Sequence, residues 1–509
     1  MASRRLRAFK RWMTSNSIQF SDALEFLDTE TTGICVKSKS ELKEGDLIAT
    51  IPKNACLTIR TSSASPIIED ADFDGCLGLC VAVMYERSLG SNSNWDGYLQ
   101  LLPKFEPLPL VWSLDDIGRL LSGTELHKTM KEDKALVYED WKECILPLIH
   151  SEKFVIDSSF FGVEDYFAAK SLVASRSFQI DDYHGAGMVP LADLFNHKTG
   201  AEDVHFTTAL LPDESDDSVA SVTDDDEIDS SDEISTGLSS SKENGLSGAS
   251  VVQSSSDGPK LDSEETVDNP LVLEMILVKD VKAGSEVFNT YGYVGNAALL
   301  HRYGFTELDN PFDIINIDLE LVLQWSSSLF SGRHSRARLS LWRKLGYSGC
   351  ESQNSEYFEI SYEGEPQLEL LILLYIVLLP EETYTKLDLT LASKGNPSES
   401  NHLNTSKAGT ILQGKISEMS TDMLLTKSVR KALISLADIR EGLYGTSSLE
   451  HDMESLSKCD CSTERKLYHS LVLRVSERRI IQKLRNYAEA GAKLLGKAPR
   501  LHLRKKLKS

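Results

Sequence analysis

Two short stretches of this sequence decide its fold: MVPLADLFNH at residues 188–197 and GSEVFNTYG at residues 284–292. The first ends in an asparagine–histidine pair after an apolar run, and the second ends in a tyrosine followed by a glycine. Each motif alone is most simply a strand and a turn. Their occurrence in this order, followed by LLHRYGF at residues 299–305, is the feature around which the rest of the chain is interpreted.

The stretch between the two motifs differs in kind from the rest of the chain. Residues 211–270 contain fifteen serines, no aromatic residue, and seventeen acidic residues against two lysines, and so carry −15 of the net charge of −23. Such a composition cannot bury enough apolar surface to offset the entropy of ordering, which predicts disorder. Strand-like sequence precedes it and resumes at residues 271–276, so we expect a long loop within one domain, between paired segments.

The bulk composition is that of an ordinary globular protein of two domains. The chain has 509 residues, of which 41% are hydrophobic and 26% are charged, and one core rarely serves this length. Its eight cysteines follow no framework spacing, which favours reduced thiols in an intracellular compartment. The longest apolar run, residues 368–379, is too short to cross a bilayer and includes Glu369, so it predicts a buried helix.

Residue spacing gives a coarse map of the elements. Residues 33–59 have the pattern of strands and turns, and residues 76–178 are largely helical, with a short helix at 114–121. Residues 186–210 return to short strands. From residue 312 onward helical periodicity dominates, most clearly at residues 467–484. A second, all-helical domain is therefore predicted. Near the start of the chain, Leu6, Phe9, Trp12 and Met13 recur at helical spacing, which favours a first helix of the fold over a basic organelle presequence.

Taken together, the Asn-His and Tyr motifs resemble the signature of SET-domain methyltransferases. The resemblance implies an α+β fold with a β-rich, pseudoknot-like core, in which the two motif segments thread through one another, and a helical insert. The expected all-α C-terminal domain follows from the helical periodicity that begins at residue 312. The expected divisions are an N-terminal helical segment at 1–28, a SET domain at 29–310 with its helical insert at about 60–178, and a helical substrate-binding domain at 311–509.

Four further stretches narrow the resemblance to one subclass. WDGYLQLLP at 95–103, PLVWS at 109–113 and SRSF at 175–178 are similar to the insert and its end in the Rubisco large-subunit methyltransferase and its non-plastid relatives. REGLYGT at 440–446, followed by Asp452, is similar to a motif of the substrate-binding domain of that subclass. The nuclear branch directed at non-histone proteins is the most similar.

This resemblance implies a protein-lysine N-methyltransferase that uses S-adenosyl-L-methionine. The reaction is a displacement at a sulfonium methyl group by a neutral amine, so the enzyme has to align the two reactants and strip the lysine of water and its proton. By resemblance, Tyr291 would lie at the methyl-transfer pore as the catalytic residue and would also contact the cofactor. An apolar channel would lower the pKa of the lysine.

The same resemblance assigns cofactor-binding roles to other residues. Asn196 and His197 would bind the amino-acid end of the cofactor, and Arg176 would pair with its carboxylate. Tyr303 would lie beside the cofactor, and Phe305 would either stack near the adenine or wall the lysine channel. Each of these residues also has a purely structural interpretation, in core packing or in a surface ion pair.

The remaining cofactor-binding candidates are Asp193 and the three residues Gly33, Ile34 and Cys35. Asp193 is expected to orient its loop rather than to touch the ligand. The family's first motif, Gly-x-Gly, is replaced by Gly33-Ile34-Cys35. Because Cys35 carries a Cβ that glycine lacks, either the turn there does not need a positive φ or cofactor binding is weakened.

The expected partner is a lysine-bearing protein, with ribosomal and chromatin-associated proteins as candidates. No membrane association and no direct nucleic-acid binding are expected. No metal site is expected either, because Cys459 and Cys461 supply two thiols and a zinc site needs four ligands. The nucleus or the cytoplasm is favoured over the chloroplast, and the basic stretch at 500–508 is either a solvated tail or an import signal. Three alternatives stay open: a protein-histidine methyltransferase, a SET-like interaction module that has lost catalysis, and a chromatin adaptor that acts through its acidic loop.

Overall fold

A computed structural model describes residues 3–29, 33–151, 153–154, 156–208, 272–347, 356–392 and 421–495. The acidic stretch at 211–270 and the basic stretch at 500–508, each the subject of a prediction above, lie outside the described residues. None of the helices within the described ranges combines the length and the apolar character that a membrane span requires.

The described residues form short strands that are concentrated in the first 280 residues and helices throughout. The strands are β1 (Gln19–Phe20), β2 (Leu24–Thr29), β3 (Gly33–Ser38), β4 (Leu47–Pro52), β5 (Leu57–Thr58), β6 (Ser177–Asp181), β7 (Gly185–Met188), β8 (Val204–Thr208), β9 (Val272–Leu277), β10 (Ile315–Asp318) and β11 (Tyr357–Ile360). The helices are α1 (Arg4–Ser15), α2 (Ser65–Asp70), α3 (Gly75–Leu89), α4 (Asp96–Leu99), α5 (Leu114–Leu120), α6 (Leu126–Asp140), α7 (Leu146–Ile149), α8 (Val163–Arg176), α9 (Asn296–Tyr303), α10 (Leu319–Leu329), α11 (Gly332–Lys344), α12 (Leu368–Val377), α13 (Glu381–Ala392), α14 (Thr421–Leu424), α15 (Lys427–Gly442), α16 (Leu449–Lys458) and α17 (Arg465–Leu495).

Among the residues that the structure describes, the β-rich core consists of three small sheets. One is antiparallel with the order β1-β4-β9-β8, the second is the hairpin β2-β3, and the third has the order β5-β7-β6. Strand β8 pairs with β9 from Val204 opposite Leu277 to Thr208 opposite Leu273. The segments on either side of the acidic stretch are therefore paired, as the sequence predicts.

The segment that carries the second motif runs between two other parts of the core. On one side it follows β3, where the N–H of Val287 donates to the carbonyl of Val36 at 2.8 Å. On the other side it meets the Asn-His motif, because Asn289 donates to the carbonyl of Asn196 at 2.9 Å and forms a parallel bridge with His197. The predicted threading of the two motif segments is confirmed.

The N-terminal segment packs onto this core as a helix followed by strands. Helix α1 buries Leu6, Phe9 and Met13, each 0% exposed. The prediction of a helical segment extending to residue 28 is wrong, because α1 ends at Ser15 and both β1 and β2 follow it. In β2 the buried residues Leu24 and Phe26 lie on either side of the exposed Glu25, which is the period of a strand rather than of a helix.

The C-terminal region has its own apolar core, which centres on α12. Seven of the ten residues of α12 are buried, as expected for the apolar run at 368–379. The prediction of an all-α domain is wrong in one respect, because β10 and β11 form an antiparallel pair with Ile315 opposite Ile360. Alternating buried side chains hold this pair against the helices, and four residues are too few for that alternation to stand out in the sequence.

A buried polar network joins the C-terminal region to the helical insert. The guanidinium of Arg440 donates to the carbonyl of Gly123 at 2.6 Å, to the carboxylate of Glu125 at 3.0 Å and to the carbonyl of Asn316 at 3.1 Å. The backbone N–H of Glu125 donates in turn to Glu477 of α17 at 3.1 Å. This network, which we call the joint, connects the REGLYGT motif at 440–446 to the helical insert.

Candidate active site

A cavity of about 550 Å³ lies where the two sequence motifs meet. The residues that the sequence predicts for the site line this cavity, with one exception; they are Gly33, Ile34, Arg176, Asp193, Asn196, His197, Tyr291, Tyr303 and Phe305. The exception is Cys35, which is 4% exposed in β3 and does not line the cavity. Its backbone φ is not positive, so its Cβ is accommodated without the strain that a glycine position would impose.

Tyr291 is fixed by the histidine of the first motif. The backbone N–H of Tyr291 donates to Nδ1 of His197 at 2.9 Å, and the two rings stack with centroids 4.8 Å apart. Because Nδ1 accepts this bond, the imidazole is neutral with its proton on Nε2, which faces the hydroxyl of Thr199 at 3.3 Å. Burial lowers the pKa of His197, which favours the same neutral form.

The tyrosine also stacks on a second aromatic ring. The rings of Tyr291 and Tyr303 lie 4.1 Å apart between centroids at an interplanar angle of 21°. Phe305 completes the cluster, 6.1 Å from His197 and 6.5 Å from Tyr303. Burial raises the pKa of both phenols above the ordinary value. Tyr291 is therefore a neutral hydroxyl at physiological pH and can orient a partner through hydrogen bonds, but it cannot act as a phenolate base.

Arg176 is held by protein carboxylates. Its Nε donates to Glu106 at 2.6 Å, and its Nη1 donates to the backbone carbonyl of Asp193 at 2.9 Å. The carboxylate of Asp193 is fully buried and accepts the hydroxyl of Tyr98 at 2.8 Å. Burial raises the pKa of Asp193. Asp193 thus contacts both Arg176 and Tyr98, and its role in orienting the loop stays a prediction. The same contacts show that part of the guanidinium expected to bind the cofactor is engaged within the protein.

The Asn-His loop follows a strained turn. Leu191 has a φ of +81° although it is not a glycine, which is a costly backbone conformation that persists only where the surroundings impose it. The loop continues to Asn196, whose side-chain Nδ2 donates to Glu286 of the second motif at 2.7 Å. The two motifs are thus joined through side chains as well as through the backbone.

Comparison with solved structures gives the fold. A crystal structure of the SET domain of LSMT bound to lysine and AdoHcy superposes with a TM-score of 0.60 at 17% identity and covers 96% of this chain and 92% of that chain. The structure of Rubisco LSMT bound to AdoMet gives 0.59 at 17% identity, with 97% and 93% covered. The chain has the SET-domain fold.

Sequence comparison adds relatives of part of this chain. Ribosomal lysine N-methyltransferase 3 of Saccharomyces cerevisiae is 27% identical over 339 residues, which are 56% of this chain and 59% of that protein. N-lysine methyltransferase setd6 of Danio rerio is 26% identical over 324 residues, which are 59% of this chain and 57% of that protein. The matches thus span less than three fifths of the length of these curated relatives. No family model matches the sequence.

The residues that line the SET-domain cavity suit S-adenosyl-L-methionine. Gly33 has a φ of +73°, and a Cβ added there would meet nothing within 4 Å, so a ligand can approach its backbone closely. The Arg176 guanidinium and the Asn196 amide offer polar partners for a carboxylate and an ammonium, and the aromatic cluster offers a surface for adenine. The cavity thus provides both the polar partners and the apolar surface that this cofactor needs.

Sequence reasoning missed several residues of this cavity. Glu106 follows the insert motif at 95–103, and its role depends on Arg176, which is 70 residues away. Cys461, Arg465 and His469 also line the cavity, although they belong to the C-terminal region. The only sequence signal for them is that a cysteine, an arginine and a histidine recur at intervals of four residues, which on α17 places His469 one turn beyond Arg465.

Proposed function

We propose that this chain is an S-adenosyl-L-methionine-dependent protein-lysine N-methyltransferase that acts on a non-histone protein. The observation that carries the proposal is the convergence of Asn196, His197 and Tyr291 in one cavity, although 94 residues of sequence separate His197 from Tyr291. The names of the yeast and zebrafish relatives, both lysine methyltransferases, support the same activity.

When bound, S-adenosyl-L-methionine supplies an activated methyl group, which a neutral amine takes as the methyl–sulfur bond breaks and its electron pair stays on sulfur. The role of this chain is to deliver the amine neutral and correctly oriented. The Tyr291 hydroxyl, neutral because burial raises the pKa of the phenol, can accept a hydrogen bond from the amine and so direct its lone pair. The aromatic walls of Tyr303 and Phe305 exclude water, which disfavours the ammonium form of the lysine.

Other residues would hold the cofactor. Asn196 offers its side-chain carbonyl for an ammonium while its Nδ2 stays bonded to Glu286. The Arg176 guanidinium, of which Nε and Nη1 are engaged, presents its remaining N–H groups for a carboxylate. The backbone at Gly33 and Ile34 would approach the ligand at the opposite wall.

The substrate is proposed to be a ribosomal protein rather than a chromatin-associated one. The name of the yeast relative, a ribosomal lysine N-methyltransferase, supports this choice. The corresponding compartment is the cytoplasm or the nucleus, where ribosomal proteins are made and assembled.

The proposal is tested by incubating the full chain with tritiated S-adenosyl-L-methionine and fractionated cell extract, followed by mass mapping of the labelled protein. We expect label on a lysine. Label on a histidine would replace the proposal with histidine methylation. The absence of label, together with no heat of cofactor binding in calorimetry, would favour an interaction module without catalysis.

A further inference from the structure

The C-terminal helix α17 reaches into the wall of the cavity. Arg465 and His469, one turn apart at its start, both line the same cavity as Tyr291. Both side chains bond to one short segment, residues 304–306, which links α9 to the rest of the chain. Phe305 lies in the middle of that segment and belongs to the aromatic cluster.

His469 fixes this segment through its ring. Nδ1 of His469 accepts the backbone N–H of Thr306 at 3.1 Å and lies 2.9 Å from its hydroxyl. Since Nδ1 is an acceptor, the proton is on Nε2, which faces the sulfur of Cys461 at 3.8 Å. The ring is 4% exposed, so the backbone N–H of Thr306 would lose its partner and find little water in its place if the acceptor were removed.

Arg465 fixes the residue before Phe305. Its Nη2 donates to the carbonyl of Gly304 at 3.0 Å. Gly304 has a φ of +75°, and a Cβ there would lie 3.2 Å from the backbone of Pro107. The turn is therefore held between α17 on one side and the insert segment that carries Glu106 and Pro107 on the other.

The segment is bonded onward to the Asn-His loop. Glu307 follows Thr306, and its carboxylate accepts the backbone N–H of Thr199 at 3.1 Å. Thr199 in turn lies 3.3 Å from Nε2 of His197, and Nδ1 of His197 accepts from Tyr291. Hydrogen bonds, linked by the covalent step from Thr306 to Glu307, thus connect α17, through the turn that bears Phe305, to Tyr291.

Resting on the proposed function, we infer that His469 and Arg465 are positioning residues, through which the C-terminal region sets the place of Phe305 and thereby the affinity for S-adenosyl-L-methionine. Neither residue needs to touch the reacting atoms. The prediction is therefore a larger effect on cofactor binding than on the rate of methyl transfer at saturating cofactor.

The test compares His469→Leu with His469→Asn in the full chain. Leucine fills a similar volume without an acceptor, whereas the asparagine carbonyl can take the place of Nδ1. Binding of tritiated S-adenosyl-L-methionine is measured by equilibrium dialysis, and hydrogen exchange is measured in a peptide that spans residues 299–307. We expect His469→Leu to raise Kd about tenfold and to speed exchange at Thr306, and His469→Asn to stay within about twofold of the wild type.

A second variant keeps the inference testable if His469→Leu fails to fold. Arg465 is exposed, so Arg465→Met should fold, and it should raise Kd severalfold by releasing the Gly304 carbonyl. Arg485→Met, the same change on the same helix at an arginine bonded to Asp438, is the matched control and should leave Kd unchanged.

The possible failures are distinguishable. Wild-type Kd and unaltered exchange in His469→Leu, or wild-type Kd in Arg465→Met, would overturn the positioning role. If the wild-type chain itself binds no cofactor, the proposed function fails, together with the claim about cofactor affinity. The exchange comparison between leucine and asparagine at position 469 still decides whether the ring positions the turn.

Discussion

Nδ1 of His197 accepts the backbone N–H of Tyr291 at 2.9 Å. This bond joins two motifs that are 94 residues apart and fixes the tautomer of the histidine, because a protonated Nδ1 could not accept it. It also determines where the Tyr291 ring can lie, since the two rings stack at an interplanar angle of 15°. The same contact thus belongs both to the cavity and to the packing of the two motif segments against each other.

The bond between Asn196 and Glu286 can be tested by a double-mutant cycle. Asn196→Asp replaces the amide donor with a carboxylate 2.7 Å from that of Glu286, so we expect a loss of about 2 kcal/mol in the free energy of unfolding. Adding Glu286→Gln restores a donor and should recover at least half of this loss in urea denaturation. Strictly additive effects of the two changes would contradict a direct bond.

Stability should depend on pH through His469. Burial lowers the pKa of this ring to about 3, against 6.5 in the unfolded chain, and the positive charge of Arg465 acts in the same direction. Between these values only the unfolded state binds the proton, so the free energy of unfolding falls as the pH falls, by at most about 1.4 kcal/mol per pH unit from this residue.

Urea denaturation between pH 6.5 and 5 measures this effect. His469→Asn lacks the titrating ring, so its stability should depend less steeply on pH than that of the wild type. All other ionisable groups are shared by the two proteins and cancel in the comparison. Parallel pH dependence would show that His469 takes up its proton equally in both states.

Gly123 is a position at which only glycine fits. Its φ is +83°, and an added Cβ would lie 2.7 Å from the backbone of Leu443. We expect Gly123→Ala to lower the free energy of unfolding by more than about 2 kcal/mol. Gly118→Ala is the matched control, since Gly118 lies within α5 with nothing within 4 Å of the added carbon. That change should stabilise the protein by up to about 1 kcal/mol. Similar effects at the two positions would refute the close approach.

The joint around Arg440 should be a major source of stability. Its side chain is only 5% exposed, and removing it leaves Glu125 and two backbone carbonyls without this donor. We expect Arg440→Met to cost about 3–5 kcal/mol in denaturation, and Arg440→Lys to recover little of it, because an ammonium lacks the planar fork. Arg485→Met, at an exposed ion pair with Asp438, should cost under about 1 kcal/mol. Equal costs for the two methionine variants would argue against the joint.

The sequence predicts those parts of this structure that depend on local pattern or on a specific motif. The pairing of β8 with β9 across the acidic stretch follows from strand-like sequence on both sides of it. The cavity residues Asn196, His197 and Tyr291 follow from motif resemblance. The buried helix α12 follows from the composition of one apolar run.

What the sequence does not predict depends on contacts between distant residues. The partner of Arg176 is Glu106, and no spacing rule connects them. His469 resembles any histidine on the buried face of an amphipathic helix until the fold places it against Thr306. The short strands β2 and β10 escaped prediction because a few alternating residues beside helical sequence carry too weak a period.

The most direct test of the central claim compares the wild-type chain with the variants Tyr291→Phe and Tyr293→Phe. It measures how much tritiated methyl each protein transfers from S-adenosyl-L-methionine to protein in cell extract. Tyr293 lies two residues further on, is 82% exposed and does not line the cavity, so its variant controls for loss of a tyrosine hydroxyl immediately after this motif. We predict that Tyr291→Phe loses at least about 90% of the transfer with its thermal unfolding unchanged, while Tyr293→Phe retains full activity. Full transfer by Tyr291→Phe would contradict the account.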